Sequence, residues 1–155
     1  MMSETELRTQ KAVSLFEQGY NCAQSVFMAY ADIFGVEGEL AAKLPTSFGG
    51  GMGRLREVCG ALSGAFMLLG LKYPFTDVHN KALKNENYKK VQAVAGAFKQ
   101  EMGSYICADL LHIRREAQHY VSADRTKAYY AERPCSKCVR VAAEIVGKEI
   151  FSVSE

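Results

Sequence analysis

The chain has 155 residues, 48% of them hydrophobic and 23% charged, which is the ordinary make-up of one globular domain with enough apolar material for a core. That excludes a disordered tail, a collagen-like repeat and a low-complexity linker. Nineteen basic against 17 acidic residues leave a net charge of +2, which gives no ground for nucleic-acid binding or for an acidic partner.

The first residues, MMSETELRTQ, carry no basic n-region, apolar h-region or twin arginine, so a cytoplasmic location is expected. Ser3 or Thr5 can cap a first helix that carries Leu7, Val13 and Phe16 and stops at Gly19. Asn21 can cap a second, with Ala23, Val26, Phe27, Tyr30 and Phe34 at helical spacing and Gly35 beyond its end. A short helix over Gly38 to Leu44 ends before Pro45, and the loop Thr46 to Gly53 (TSFGGGMG) follows. A third long helix is predicted from about Arg56 to Leu71. It is apolar all round and so belongs at the centre of the bundle. Its uncharged run, Val58 to Leu71, is 14 residues, short of the roughly 20 that cross a bilayer. Asn80 to Met102 reads as a long helix with an apolar face and lysines opposite, ended by Gly103. Ser104 can cap a shorter helix through Leu111, Arg114 to Arg133 reads as helical with breaks, and Pro134 opens a last helix to about Gly147. Few segments alternate with period two. The expected architecture is an all-α, single-domain helical bundle of about five to seven helices over residues 1–155.

Five cysteines, an odd count, stand out: Cys22, Cys59, Cys107, Cys135 and Cys138. Four of them fall near predicted helix starts. Cys22 follows Asn21, Cys59 lies early in the third long helix, Cys107 is three residues after Ser104, and Cys135 follows Pro134. At a helix start the macrodipole and free N–H groups favour a thiolate and lower its pKa. If the four starts converge, they make a four-thiolate pocket suited to a soft metal or an iron–sulfur cluster. The spacing C-x36-C-x47-C-x27-C-x2-C contains only one short pair, Cys135 and Cys138, which is weak evidence for a ferredoxin or zinc-ribbon site. Val139 after that pair excludes the usual haem attachment motif. Small buried hydrophobes, a disulfide and a peroxidase-like thiol remain the alternatives.

The run Phe48 to Gly53 lacks the lysine and serine of a phosphate loop and follows no strand. Its glycines Gly49, Gly50 and Gly51 are read instead as a place where the chain passes closely over a neighbour or a cofactor near Cys59. Arg54 and Arg56 can screen thiolate charge or be solvated. His112, five residues after Cys107, is a candidate for supporting a ligand from behind, although a surface histidine is the commoner outcome.

Several segments together carry a resemblance. FGGGMGRLREVCGALSGAFMLLG (Phe48 to Gly70) holds Cys59-Gly60-Ala61-Leu62-Ser63-Gly64, which fits a CGAxxG motif. Tyr20 to Val26, Ser104 to Leu111 and Pro134 to Val139 place a cysteine before it and two cysteine segments after it. From about Ala12 to Val146 this order resembles the C_GCAxxG_C_C family of small redox-active proteins, which is similar to the cluster-binding part of split-Soret cytochrome c. The resemblance implies a helical domain in which Cys22, Cys59, Cys107 and Cys135 form a metal or iron–sulfur site, [2Fe–2S] being the expected cofactor and zinc or none the alternatives. Cys138 is then an extra thiol that replaces Cys135 as ligand, resolves a disulfide, or packs inertly.

The expected function is redox, with electron transfer through the cluster. Metal-free thiol–disulfide chemistry and a structural zinc domain are the alternatives. The expected partner is a redox protein, with no nucleic acid and no membrane, and a homodimer is expected as an option because the apolar helices are many for so short a chain.

Overall fold

Ser3 and Glu6 close a reciprocal box at the start of α1 (Glu4–Glu17): the Glu6 N–H donates to Ser3 Oγ at 3.1 Å and the Ser3 N–H to Glu6 Oε2 at 2.7 Å. Asn21 and Gln24 do the same for α2 (Cys22–Tyr30), with the Gln24 N–H to Asn21 Oδ1 at 2.8 Å. A 3-10 turn over Ala31–Phe34 continues α2 and ends at Gly35 in the left-handed region. Then come α3 (Gly38–Lys43), a 3-10 turn Thr46–Phe48 and a tight glycine turn Gly49–Met52. The remaining helices are α4 (Gly60–Lys72), α5 (Lys81–Met102), α6 (Cys107–Leu111), α7 (Lys127–Glu132) and α8 (Cys135–Ile150). The structure is a computed structural model and describes residues 1–115 and 119–152. Among these there is no strand, only an isolated antiparallel bridge between Val58 and Ile106. The fold is all-α, and no described helix is long and apolar enough to cross a membrane.

Helix α4 is the centre of the bundle. Gly60, Ala61, Leu62, Ser63, Gly64, Ala65, Leu68 and Leu69 are all buried, on every side of the helix, as its uniform apolarity requires. A Cβ on Gly64 would stand 2.5 Å from the Ala23 carbonyl oxygen, so glycine there is what lets α2 lie so close. The apolar faces of α2, α4 and α8 meet in one cluster that includes Phe27, Tyr30, Leu62, Leu68, Val139 and Val146. Helix α1 adds Ala12 and Phe16, and α5 adds Val94 and Phe98. Tyr30 spends its hydroxyl inside this core by donating to the Ala143 carbonyl at 2.7 Å. At the far end Lys72 donates to the carbonyls of Glu149 and Ile150 at 2.6 and 2.8 Å, setting a cation on the negative end of α8.

Four expectations shift. Helix α4 starts at Gly60 rather than Arg56, because the preceding chain is committed to another shape. Residues 50–54 all have positive φ, and so does Arg56 at +62°. A left-handed run of this kind is costly outside glycine, and the GGGMG sequence makes it possible. Helix α6 starts at Cys107 with Ile106 as its cap. Ser104 acts one step earlier, accepting from the Ile106 N–H at 3.1 Å and donating to Asp109 at 2.9 Å. The broken helix expected over Arg114 to Arg133 reduces chiefly to α7 among the described residues, and positions 116–118 of it lie outside them. The last helix runs past Gly147 to Ile150.

Candidate functional site

The four helix starts do converge. Cys22, Cys107 and Cys135 are the first residues of α2, α6 and α8, and Cys59 is the residue that caps α4. All four line one cavity of about 200 Å³, and Cys138 lines it with them. Cys59, Cys107 and Cys138 are buried, while Cys22 and Cys135 are half-buried, and all five thiols are free.

Backbone bonds around the Val58–Ile106 bridge set two of these residues. The Cys59 N–H donates to the Tyr105 carbonyl at 2.8 Å, the Cys107 N–H to Glu57 at 2.6 Å, and the Ala108 N–H to Arg56 at 3.2 Å. The starts of α4 and α6 are thereby stapled together, although 47 residues separate their cysteines. Cys22 is held by the Asn21 cap, whose side-chain amide also donates to the Thr46 carbonyl at 3.0 Å. That bond draws the glycine turn over the site. Gly49 and Gly50 line the cavity, and Gly51 does not. A Cβ on Gly51 would come 2.7 Å from Cys107 Cβ. Gly60 is equally constrained, since its Cβ would sit 2.8 Å from the Phe48 carbonyl and 3.2 Å from Cys22 Sγ.

Donors point at the sulfurs. The Arg56 guanidinium donates to Cys107 Sγ at 3.6 Å, and the backbone N–H groups of Gly50 near Cys22 and of Ala61 and Leu62 near Cys59 pull those thiols down. Even so, the thiol pKa values are not lowered. Burial pushes Cys22 up to about 11, with the charge of Cys59 adding to it. Burial, followed by the charges of Cys22, Cys59 and Cys107, pushes Cys135 up to about 12. Cys59 is raised first by its hydrogen bond with Cys138 and then by burial, and Cys107 by burial against the opposing pull of Arg56. The helix-start effect is present but is outweighed by desolvation and by the mutual repulsion of clustered thiolates. Four such groups keep their protons at neutral pH unless a cation takes the protons' place.

The arginines were only half legible. Arg56 is 3% exposed and sits against a thiol, so it is not solvated. Arg54, Arg125 and Arg133 line the same cavity, and nothing in the spacing of the last two pointed there. His112 is exposed at the end of α6 and is not among the cavity's lining residues.

A four-thiol set on one cavity, with N–H and guanidinium donors aimed at its sulfurs, fits a thiolate-bound metal or cluster in kind. As the side chains stand, no three or more His, Cys, Asp or Glu among the described residues are grouped to hold a metal ion.

Neither the curated proteins nor the solved structures give a match to this chain. A family pattern does, across residues 20–149, under the description "Putative redox-active protein (C_GCAxxG_C_C)". That span takes in all five cysteines, the glycine turn and the CGAxxG segment of Cys59 to Gly64. The chain belongs to the C_GCAxxG_C_C family.

Proposed function

We propose that this redox-family protein holds an iron–sulfur cluster, of the [2Fe–2S] type, through Cys22, Cys59, Cys107 and Cys135, and passes electrons to and from a partner protein. The observation that supports this reading is the meeting of four cysteines from four different helix starts on one cavity. When bound, such a group supplies one-electron redox chemistry. The chain's own contribution is electrostatic and steric. The N–H groups of Gly50, Ala61 and Leu62 and the guanidinium of Arg56 stabilise negative charge on sulfur, which favours the reduced form and raises the potential. The glycine turn passes close to Cys107, where a Cβ on Gly51 would stand 2.7 Å from Cys107 Cβ. Cys138 stays a thiol beside Cys59.

Anaerobic isolation followed by absorption and electron-paramagnetic-resonance spectra, with iron and zinc analysis, tests the reading. Iron with visible charge-transfer bands supports it, and a colourless, metal-free chain with five titratable thiols overturns it.

One contact favours a second reading. The neighbouring Cys138 is the largest cause of the raised Cys59 thiol and both residues line the cavity, so a metal-free dithiol could use this pair as well as Cys135 with Cys138. Two thiols would become one disulfide, with two electrons and two protons going to an acceptor disulfide. Peptide mapping after mild oxidation, without metal, distinguishes the two pairings.

A further inference from the structure

The cavity has a second chemical character besides sulfur. Arg54, Arg56, Arg125 and Arg133 all line it, and no aspartate or glutamate among the described residues does. The whole chain carries only +2, so this is a local concentration of charge and not a background. Arg56 is buried against Cys107, and the other three are half-buried.

The way these three are held matters. Arg54 donates to the His119 carbonyl at 3.1 Å. Arg125 donates to the carbonyls of Phe16 and Tyr20 at 3.0 Å each and lies 4.4 Å over the Phe16 ring. Arg133 lies 4.7 Å over the Tyr129 ring. Carbonyls and ring faces orient a guanidinium without neutralising it. Several cations elsewhere are paired with carboxylates, as in Arg8 with Asp32, Arg115 with Glu57 and Lys90 with Glu149. Burial and the neighbouring charges of Arg56 and Arg133 make Arg54 costly to keep ionised. A bound anion would relieve that repulsion.

We infer that the outer part of this cavity is a subsite for a small anionic ligand that presents a carboxylate or a tetrahedral oxyanion to Arg54, Arg125 and Arg133 in front of the thiols. Planar guanidiniums suit both groups, because each can be engaged by two N–H donors. The volume of about 200 Å³ lies below the roughly 300 Å³ at which drug-sized pockets begin, which limits the ligand to a few heavy atoms. The inference rests on the guanidiniums and stands with or without a metal.

The test compares alkylation by anionic iodoacetate and neutral iodoacetamide on the reduced full chain, its helical content verified by circular dichroism. The rate ratio at Cys22 and Cys135 is divided by the same ratio for a free cysteine peptide. Access and thiol reactivity affect both reagents, so the quotient reads only the attraction of the anion. It is expected at about tenfold, the low end of electrostatic steering, and to fall toward one in Arg54→Gln and Arg133→Gln. Sulfate or acetate should lower it more than chloride at equal ionic strength, and whichever does so identifies the preferred head group. A quotient at or below one in the folded chain overturns the inference. So does a quotient indifferent to both substitutions, or one that chloride lowers as much as sulfate and acetate do. None of these results depends on metal content, which is measured separately.

Discussion

The guanidinium of Arg56 donates to the sulfur of Cys107 at 3.6 Å, with the two residues only 3% and 8% exposed. A charge-assisted hydrogen bond of this kind contributes about 1.5–3 kcal/mol, and one pKa unit corresponds to about 1.4 kcal/mol. Burial already raises the Cys107 thiol and Arg56 opposes it, so Arg56→Leu should raise it further. In the reduced, metal-free chain, alkylation of Cys107 at a fixed mildly alkaline pH should slow by at least about tenfold. Arg56→Lys, which keeps a charge but not the planar fork, should fall between. Mass-spectrometric peptide mapping gives the rate, and an unchanged rate in Arg56→Leu would remove the contact from the account.

Gly51 and Gly53 separate backbone strain from crowding. Both have positive φ, +72° and +59°, so alanine at either costs about 1–2 kcal/mol in conformation alone. At Gly53 the nearest atom to a new Cβ is the Ser47 carbonyl at 3.6 Å, whereas at Gly51 Cys107 Cβ stands at 2.7 Å and the Arg56 backbone at 2.8 Å. Gly51→Ala should therefore be less stable than Gly53→Ala by roughly a further 1–3 kcal/mol and should disturb Cys107 reactivity, which Gly53→Ala leaves alone. Denaturant midpoints compare them, and equal losses would mean that the turn does not press on the site.

Packing at the centre makes an equally sharp pair. Gly64→Ala drives a methyl to 2.5 Å from the Ala23 carbonyl, and forcing α2 and α4 apart should cost about 1–3 kcal/mol, several degrees of Tm. Gly96 is an exposed glycine inside α5 with nothing within 4 Å. Gly96→Ala should stabilise by about 0.5–1 kcal/mol through helix propensity. Calorimetry reads both signs, and a stabilising Gly64→Ala would refute the close approach of α2 and α4.

The acid limb of stability should involve Asp32. Its hydrogen bond with Arg8, 2.5 Å to the first carboxylate oxygen, holds the carboxyl below its ordinary value of 3.8. A group whose folded pKa is depressed stabilises above the unfolded pKa and loses that contribution as pH falls through the folded one. Asp32→Asn should accordingly be less stable than the parent near neutral pH, with the gap closing below the usual carboxylate range, by about pH 2. A gap that persists there would mean that the loss is steric. Both residues are partly exposed, so the effect should also shrink with salt.

What could be read from the residues, and what could not, divides by range. Asn21, Pro134 and the position of Cys135 are local signals. A cap side chain or a fixed proline φ acts within one turn, and the helix starts at Cys22 and Cys135 follow from them. Helix α4 starts four residues beyond the expected Arg56 because its beginning depends on the Val58–Ile106 bridge and the left-handed glycine turn, and no neighbouring residue announces either. The lowered thiol pKa expected at helix starts also failed for a non-local reason. The sequence shows one helix end at a time, while the sign of the shift depends on how many thiols share the cavity. Arg125 joins the site through the Phe16 and Tyr20 carbonyls, more than a hundred residues away in sequence, beyond any pattern of spacing. Cys138 lies one turn beyond Cys135 on the same side of α8, which was visible. Its contact with Cys59 follows only from the packing of α4 on α8.

The division of five cysteines into four ligands and one spare is the centre of the account, and metal stoichiometry across single serine variants, prepared anaerobically, tests it most directly. Iron and visible absorption are expected in the parent chain and in Cys138→Ser, with loss of both in Cys22→Ser, Cys59→Ser, Cys107→Ser and Cys135→Ser, each still helical by circular dichroism. Loss of iron in Cys138→Ser with retention in Cys135→Ser, or no metal in the parent chain at all, would contradict it.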